Sequence, residues 1–159
     1  MTTRTHETEI IVDPDVPLVR IVREFDAPPE KVFRAHTDPE LVVQWLGPHG
    51  LEMHIDHYEC RTGGSYRYIQ TRGDEEFGFH GCFHEVRPSE LIVQTFTYEG
   101  EPDGVALERL TLEEIADGRT RLTATSLVDS FEARDAFVAS GMEVGIREVY
   151  ERLDALLAR

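Results

Sequence analysis

Residues 140–158 read SGMEVGIREVYERLDALLA. Met142, Gly145, Val149, Leu153 and Leu156 step by three or four, the spacing of one helical face. Ile146 and Tyr150 flank that stripe. Glu143, Arg147, Glu148, Glu151, Arg152 and Asp154 hold the other side, with Glu148 and Arg152 an i,i+4 pair. A long amphipathic helix over about 141–158 follows. Ser140 and Glu143 have capping-box spacing, so the helix is expected to start with Ser140 at its N-cap. Ser130 is expected to cap a separate helical piece over 131–139.

An apolar stripe that long needs a surface to cover, and the chain before it supplies one. Segments 51–59, 64–72, 76–87, 90–99, 105–115 and 119–127 have the pattern of strands. Thr62-Gly63-Gly64, Gly73-Asp74, Arg87-Pro88-Ser89, the run from Gly100 to Gly104 and Ala116-Asp117-Gly118 separate them. Links so short predict an antiparallel meander. Val19 to Phe25 alternates and adds an earlier strand. Asp26-Ala27-Pro28-Pro29-Glu30 then stops that strand and opens a short helix with Val32, Phe33 and His36 on one face. Asp38-Pro39-Glu40 opens a second, carrying Leu41, Val42 and Trp45, and Gly47-Pro48-His49-Gly50 ends it.

This order predicts an α+β domain. A single helix covers only part of a seven-stranded sheet, so the sheet must curl around it. The expected architecture is a curved antiparallel sheet of six to seven strands wrapped around the C-terminal helix. Two short helices close the gap, which is the natural ligand site. The 159 residues suit one domain over 1–159, with 1–15 as a looser arm.

Net charge is 16 − 31 = −15. So acidic a chain repels phosphate backbones and anionic membranes, which argues against nucleic-acid and membrane partners. No apolar run approaches the ~20 residues of a spanning helix. The opening Met1-Thr2-Thr3-Arg4-Thr5-His6-Glu7 has no apolar signal core, so a cytoplasmic location is expected. Cys60 and Cys82 then read as free, buried thiols. Monomer and homodimer both remain open.

Several blocks carry a resemblance. They are Asp26-Ala27-Pro28-Pro29-Glu30-Lys31-Val32-Phe33, Thr37-Asp38-Pro39-Glu40, Trp45-Leu46-Gly47-Pro48-His49-Gly50, Gly63-Gly64-Ser65-Tyr66-Arg67 and Ser140-Gly141-Met142 with Gly145. Over roughly residues 17–158 the chain resembles bacterial relatives of the activator of the heat-shock-protein-90 ATPase, within the START-like (SRPBCC) superfamily. The resemblance implies the helix-grip fold, but fold is not activity. Members of that superfamily include stress-response co-chaperones, hydrophobic-ligand carriers, cyclases and antibiotic-sequestering proteins. Three functions are therefore expected in order: binding of a small hydrophobic or amphipathic molecule, a co-chaperone-like interaction with a heat-shock ATPase, and a polyketide cyclase or dehydratase. The eukaryotic co-chaperone carries a further large N-terminal domain, for which 159 residues leave no room.

Candidate ligand contacts come from side-chain parity. Tyr66 and Tyr68 share a strand face, as do Phe96 and Tyr98. With Trp45 they can make an aromatic-lined cavity, the usual composition of a small-molecule pocket. Met142, Gly145 and Val149 come from the covering helix. Gly145 there suits either close approach of helix to sheet or room for a ligand. His54 or His80 is expected in the wall. No metal is expected: His54 and His57 fall on opposite strand faces, and His80 and His84 are roughly 13 Å apart at ~3.3 Å rise per residue. No cofactor is implied, and no Gly-x-Ser-x-Gly, His-Glu-x-x-His, phosphate loop or Cys-x-x-Cys occurs. No catalytic residue is assigned, because a buried acid cannot be singled out among 31.

Overall fold

In a computed structural model, residues 7–47 and 49–159 are described. The chain runs β1 (Glu9–Val12), β2 (Leu18–Phe25), α1 (Pro29–Thr37), α2 (Pro39–Trp45), β3 (Glu52–Tyr58), β4 (Ser65–Arg72), β5 (Glu75–Arg87) and β6 (Leu91–Tyr98). It continues through β7 (Ala106–Ile115), β8 (Arg119–Leu127), α3 (Phe131–Ala139) and α4 (Met142–Leu157). One curved antiparallel sheet takes all eight strands in the order β1-β2-β8-β7-β6-β5-β4-β3. The α+β helix-grip architecture stands.

Two hydrophobic clusters divide the concave face. Under α4, Val149, Tyr150, Leu153 and Leu157 pack with Val19, Ile21 and Phe25 of β2 and Leu122 of β8. Toward β3, Tyr66, Tyr68, Phe83 and Ile92 form the second cluster. The short helices pack into the first through Val32, Ala35 and Trp45, and Phe33 of α1 with Leu46 just after α2 packs against both. Two clamps hold this cover in place. Arg152 of α4 donates to the carbonyls of Gly47 and, at 3.0 Å, Gln44. Lys31 of α1 donates to the carbonyls of Leu157, at 2.7 Å, and Arg159, at 3.1 Å, where α4 ends with unpaired acceptors.

The sheet has one strand more than expected. Part of the stretch read as a looser arm is β1, which pairs with β2 from Glu9↔Val22 to Val12↔Val19. The apolar run Ile10-Ile11-Val12 covers what would otherwise be an open sheet edge. Arg147 ties this region to α4 by donating to the Thr8 carbonyl at 2.6 Å. Pro48 and residues 1–6 lie outside the described residues.

The helix start also differs. Ser140 is the C-cap of α3, in right-handed conformation, and its hydroxyl donates back to the Phe137 carbonyl. An N-cap needs extended backbone, so the capping box does not form. Gly141 opens α4 instead, at φ 88°, with no side-chain cap. The buried stripe is Met142, Val149, Tyr150, Leu153 and Leu157, which turns Gly145 and Leu156 to half-buried positions. Cys60 is half-buried, with its thiol pushed up to about 12 by burial. Cys82, expected to be buried, is exposed.

Candidate functional site: a cavity beneath the C-terminal helix

A cavity of about 290 Å³ lies between the sheet and α4. From the covering side come His36 of α1, Val42 and Trp45 of α2, Phe137 of α3, and Ile146, Val149 and Tyr150 of α4. The sheet contributes Tyr58, Tyr66, Tyr68, Ile92 and Phe96.

Period-two alternation aims the β4 rings inward. Tyr66 and Tyr68 stack with centroids 6.0 Å apart, and Tyr58 sits 5.8 Å from Tyr66. Opposite Tyr66 stands Gly81, where a Cβ would lie 1.9 Å from the Thr95 carbonyl oxygen. Only glycine lets the Tyr66 hydroxyl reach that carbonyl, to which it donates at 2.7 Å. Tyr58 likewise donates to the His36 carbonyl at 2.9 Å. Trp45 donates its indole N–H to the Ala35 carbonyl at 2.9 Å and stacks on Tyr150 at 6.3 Å.

Against this apolar wall runs one polar row. Gln94, Glu108 and Ser126 are direct register partners on β6, β7 and β8. The Gln94 amide donates to Glu108 at 3.1 Å and to the Tyr66 hydroxyl at 3.3 Å, and Ser126 also hydrogen-bonds the carboxyl. Burial raises the Glu108 carboxyl to about 7, against the opposing pull of Gln94 and Ser126. What surface Glu108 retains belongs to the cavity wall.

His36 is the second ionisable group. It is buried, its Nδ1 lies 2.8 Å from the Val32 carbonyl, and burial lowers it to about 4. It is therefore neutral, and facing a carbonyl its Nδ1 must carry the proton. Nε2 is then a lone-pair acceptor, and it has no partner. The ring packs edge-on to Trp45 at 4.8 Å.

Five of the ten expected contacts meet at this wall: Trp45, Tyr66, Tyr68, Phe96 and Val149. The other five do not line it. Met142 is buried in the core at the first turn of α4. Gly145 is half-buried, and Ile146 lines the cavity from the next position. Tyr98 is one ring further out, packed on Phe79 at 5.4 Å. His54 and His80 are exposed on the convex face, because their partners Ile69 and Arg67 alternate with the inward tyrosines of β4. There His80 lies 2.8 Å from Glu99, whose carboxyl is held down to about 2, first by Arg67 and then by His80.

Glu108, Gln94, Ser126 and His36 were missed. A parity signal for the first three exists. Glu108 falls in phase with Ala106, Leu110 and Leu112, Gln94 with Ile92 and Phe96, and Ser126 with Leu122 and Ala124. Each is a polar residue on the apolar phase of its strand.

Fold and site together define a helix-grip domain enclosing a small-molecule-sized cavity. Residues 26–158 match the family model described as activator of Hsp90 ATPase homolog 1-like protein, and the chain belongs to that family. A solved protein from Rhodobacter sphaeroides is 30% identical, covering 94% of this chain and 97% of that one at a TM-score of 0.85. A solution structure from Arthrobacter aurescens is 27% identical, with coverage of 94% and 91% and a TM-score of 0.86. DynU16, from the dynemicin biosynthetic locus, is 25% identical over 89% of this chain and 48% of its own, at a TM-score of 0.67. No curated protein matches. Among the described residues no helix is long and apolar enough to cross a membrane.

Proposed function

We propose that the protein binds a small, mainly hydrophobic molecule in the cavity beneath α4, with the polar end of the ligand against Glu108 and Gln94. The observation that carries this reading is the polar row Gln94–Glu108–Ser126 in a wall that is aromatic and aliphatic apart from His36, Arg109 and Thr125. A few placed polar groups in an apolar cavity orient a ligand, while apolar burial supplies affinity. At ~25 cal/mol per Å² of apolar surface removed from water, a two-ring molecule reaches micromolar binding. The likeness to a protein of the dynemicin biosynthetic locus supports a small molecule.

Trp45, the only tryptophan, reports on the site. A neutral naphthalene probe should change its emission saturably. Ala124→Leu or Ile146→Phe, each narrowing the cavity, should weaken that binding at least tenfold with the far-ultraviolet circular dichroism unchanged. Absence of binding below about millimolar would overturn the reading.

A second reading, a cyclase- or dehydratase-like enzyme, rests on one observation. A carboxyl raised to about 7 is poised to give and take protons near neutrality. Turnover of an aromatic polyketide chain by wild type, lost in Glu108→Gln with binding retained, would favour it.

A further inference from the structure

We infer that the ligand of this cavity carries a positive charge: it is an aromatic or aliphatic amine whose ammonium group pairs with Glu108 inside the aromatic wall. The inference rests on the cavity being a binding site and names the chemical class it takes.

Glu108 offers carboxylate oxygens to the cavity, while the unpartnered Nε2 of His36 is itself buried. Three of the wall's donors are spent: the Tyr58 and Tyr66 hydroxyls point to the carbonyls of His36 and Thr95, and the Trp45 indole points to Ala35. The Tyr68 and Tyr150 hydroxyls are neutral donors. What Glu108 lacks is a positively charged partner.

Among the described residues no basic side chain pairs with Glu108; its partners are the Gln94 amide and the Ser126 hydroxyl. The titratable groups around it, Tyr58, Tyr66, Tyr68 and Tyr150, are phenols held neutral chiefly by burial. His36 on α1 is neutral too. Arg109, the next residue on β7, also borders the cavity but is exposed. Arg23 on β2 is committed to Asp154, at 3.9 Å, and to the Phe25 ring, at 5.0 Å. The helices α2 and α3 and strand β6 bring no charged side chain to the wall.

The remaining surface suits a cation. Tyr66, Tyr68, Trp45 and Tyr150 all line the cavity, and aromatic rings attract an ammonium group. Beyond the site, a net charge of −15 draws cations toward the molecule and repels anions. An anionic ligand would meet a carboxylate with no counter-ion; an amine supplies that counter-ion.

The test compares 2-naphthylmethylammonium with its neutral isostere 2-naphthylmethanol by calorimetry. At about pH 7.5 the ammonium should bind wild type roughly tenfold or more tightly than the alcohol, and at about pH 5.5 that preference should vanish, because only the ionised carboxyl selects a cation. Glu108→Gln should bind both equally at either pH. Equal binding of the two probes to wild type at the higher pH, or a cation preference that survives in Glu108→Gln, overturns the inference and leaves the cavity reading intact. Failure of both probes to bind overturns the cavity reading as well. The pH comparison on wild type needs no variant, so it decides even if Glu108→Gln does not fold.

Discussion

His36 and Glu108 stand in the wall of one cavity and are displaced from their ordinary protonation in opposite directions, His36 down to about 4 and Glu108 up to about 7. Both displacements have the same main cause, because burial disfavours whichever form is charged. Their effects on stability oppose each other. The unfolded chain binds the His36 proton below 6.5 while the folded protein refuses it until about 4, so this group costs stability as pH falls through that window. The folded protein holds the Glu108 proton up to about 7 while the unfolded chain releases it above 4.5, so this group costs stability as pH rises through nearly the same window.

Single variants should therefore separate two slopes that cancel in the wild type. Glu108→Gln should be more stable than wild type by roughly 1–3 kcal/mol near pH 8 and equal to it near pH 4. His36→Gln should gain relative to wild type on acidification below about 6. Urea denaturation across the range measures both. Difference curves flat in pH would mean that neither group is titrating as a buried one.

Helix starts give a second contrast. The Ser130 hydroxyl accepts from the Ala133 N–H at 3.0 Å, so Ser130→Ala should cost about 1 kcal/mol. Ser140→Ala should cost only a few tenths, since that hydroxyl caps no helix start and donates to the exposed Phe137 carbonyl, which the Ser140 N–H already serves. Gly141→Ala should cost about 1 kcal/mol, because its φ of 88° is left-handed. Chemical denaturation of the three variants checks the order; a larger loss at Ser140 than at Ser130 would contradict the described junction.

A third prediction concerns the far end of the sheet. Arg119, almost fully covered, donates to Asp26 at 2.6 Å and Glu24 at 3.1 Å, joining the start of β8 to the turn before α1. Arg119→Met removes the covered cation between Asp26 and Glu24, leaving Arg121 at 3.4 Å from Glu24, and should cost about 3 kcal/mol. Added salt should rescue little of it, because screening weakens in covered pairs. Full rescue by salt in a melting experiment would show the pair to be solvated.

Much of the fold was legible because strand parity and helical spacing are local. Strands from β2 to β8 fall close to their expected ranges, as do α3 and α4. The strand β1 was not, since four residues gain their meaning only from the β2 edge they cover. Part of the cavity wall was legible as well, where aromatic parity in β4 and β6 pointed to Tyr66, Tyr68 and Phe96. His54 and His80 went astray because parity gives two faces but not which is concave. A register shift between Ile55 and His57 breaks the count in β3 as well. Gly145 failed for a different reason. Helical stripes are wide, and the stripe chosen left out Tyr150, which is buried with its ring stacked on Trp45. Glu108 was hidden by the assumption that an acid in an acidic chain belongs to solvent.

The chain contains one lysine, and that lysine closes the last turn of α4. A reagent that acylates amines has a single side-chain target here, and the hydrogen bonds of Lys31 to the carbonyls of Leu157 and Arg159 restrain that nitrogen at the helix end. The fifteen arginines are silent to such chemistry. The speed of that one modification is thus a direct clock for the unlatching of the helix that roofs the cavity, and a molecule held beneath the roof should slow it.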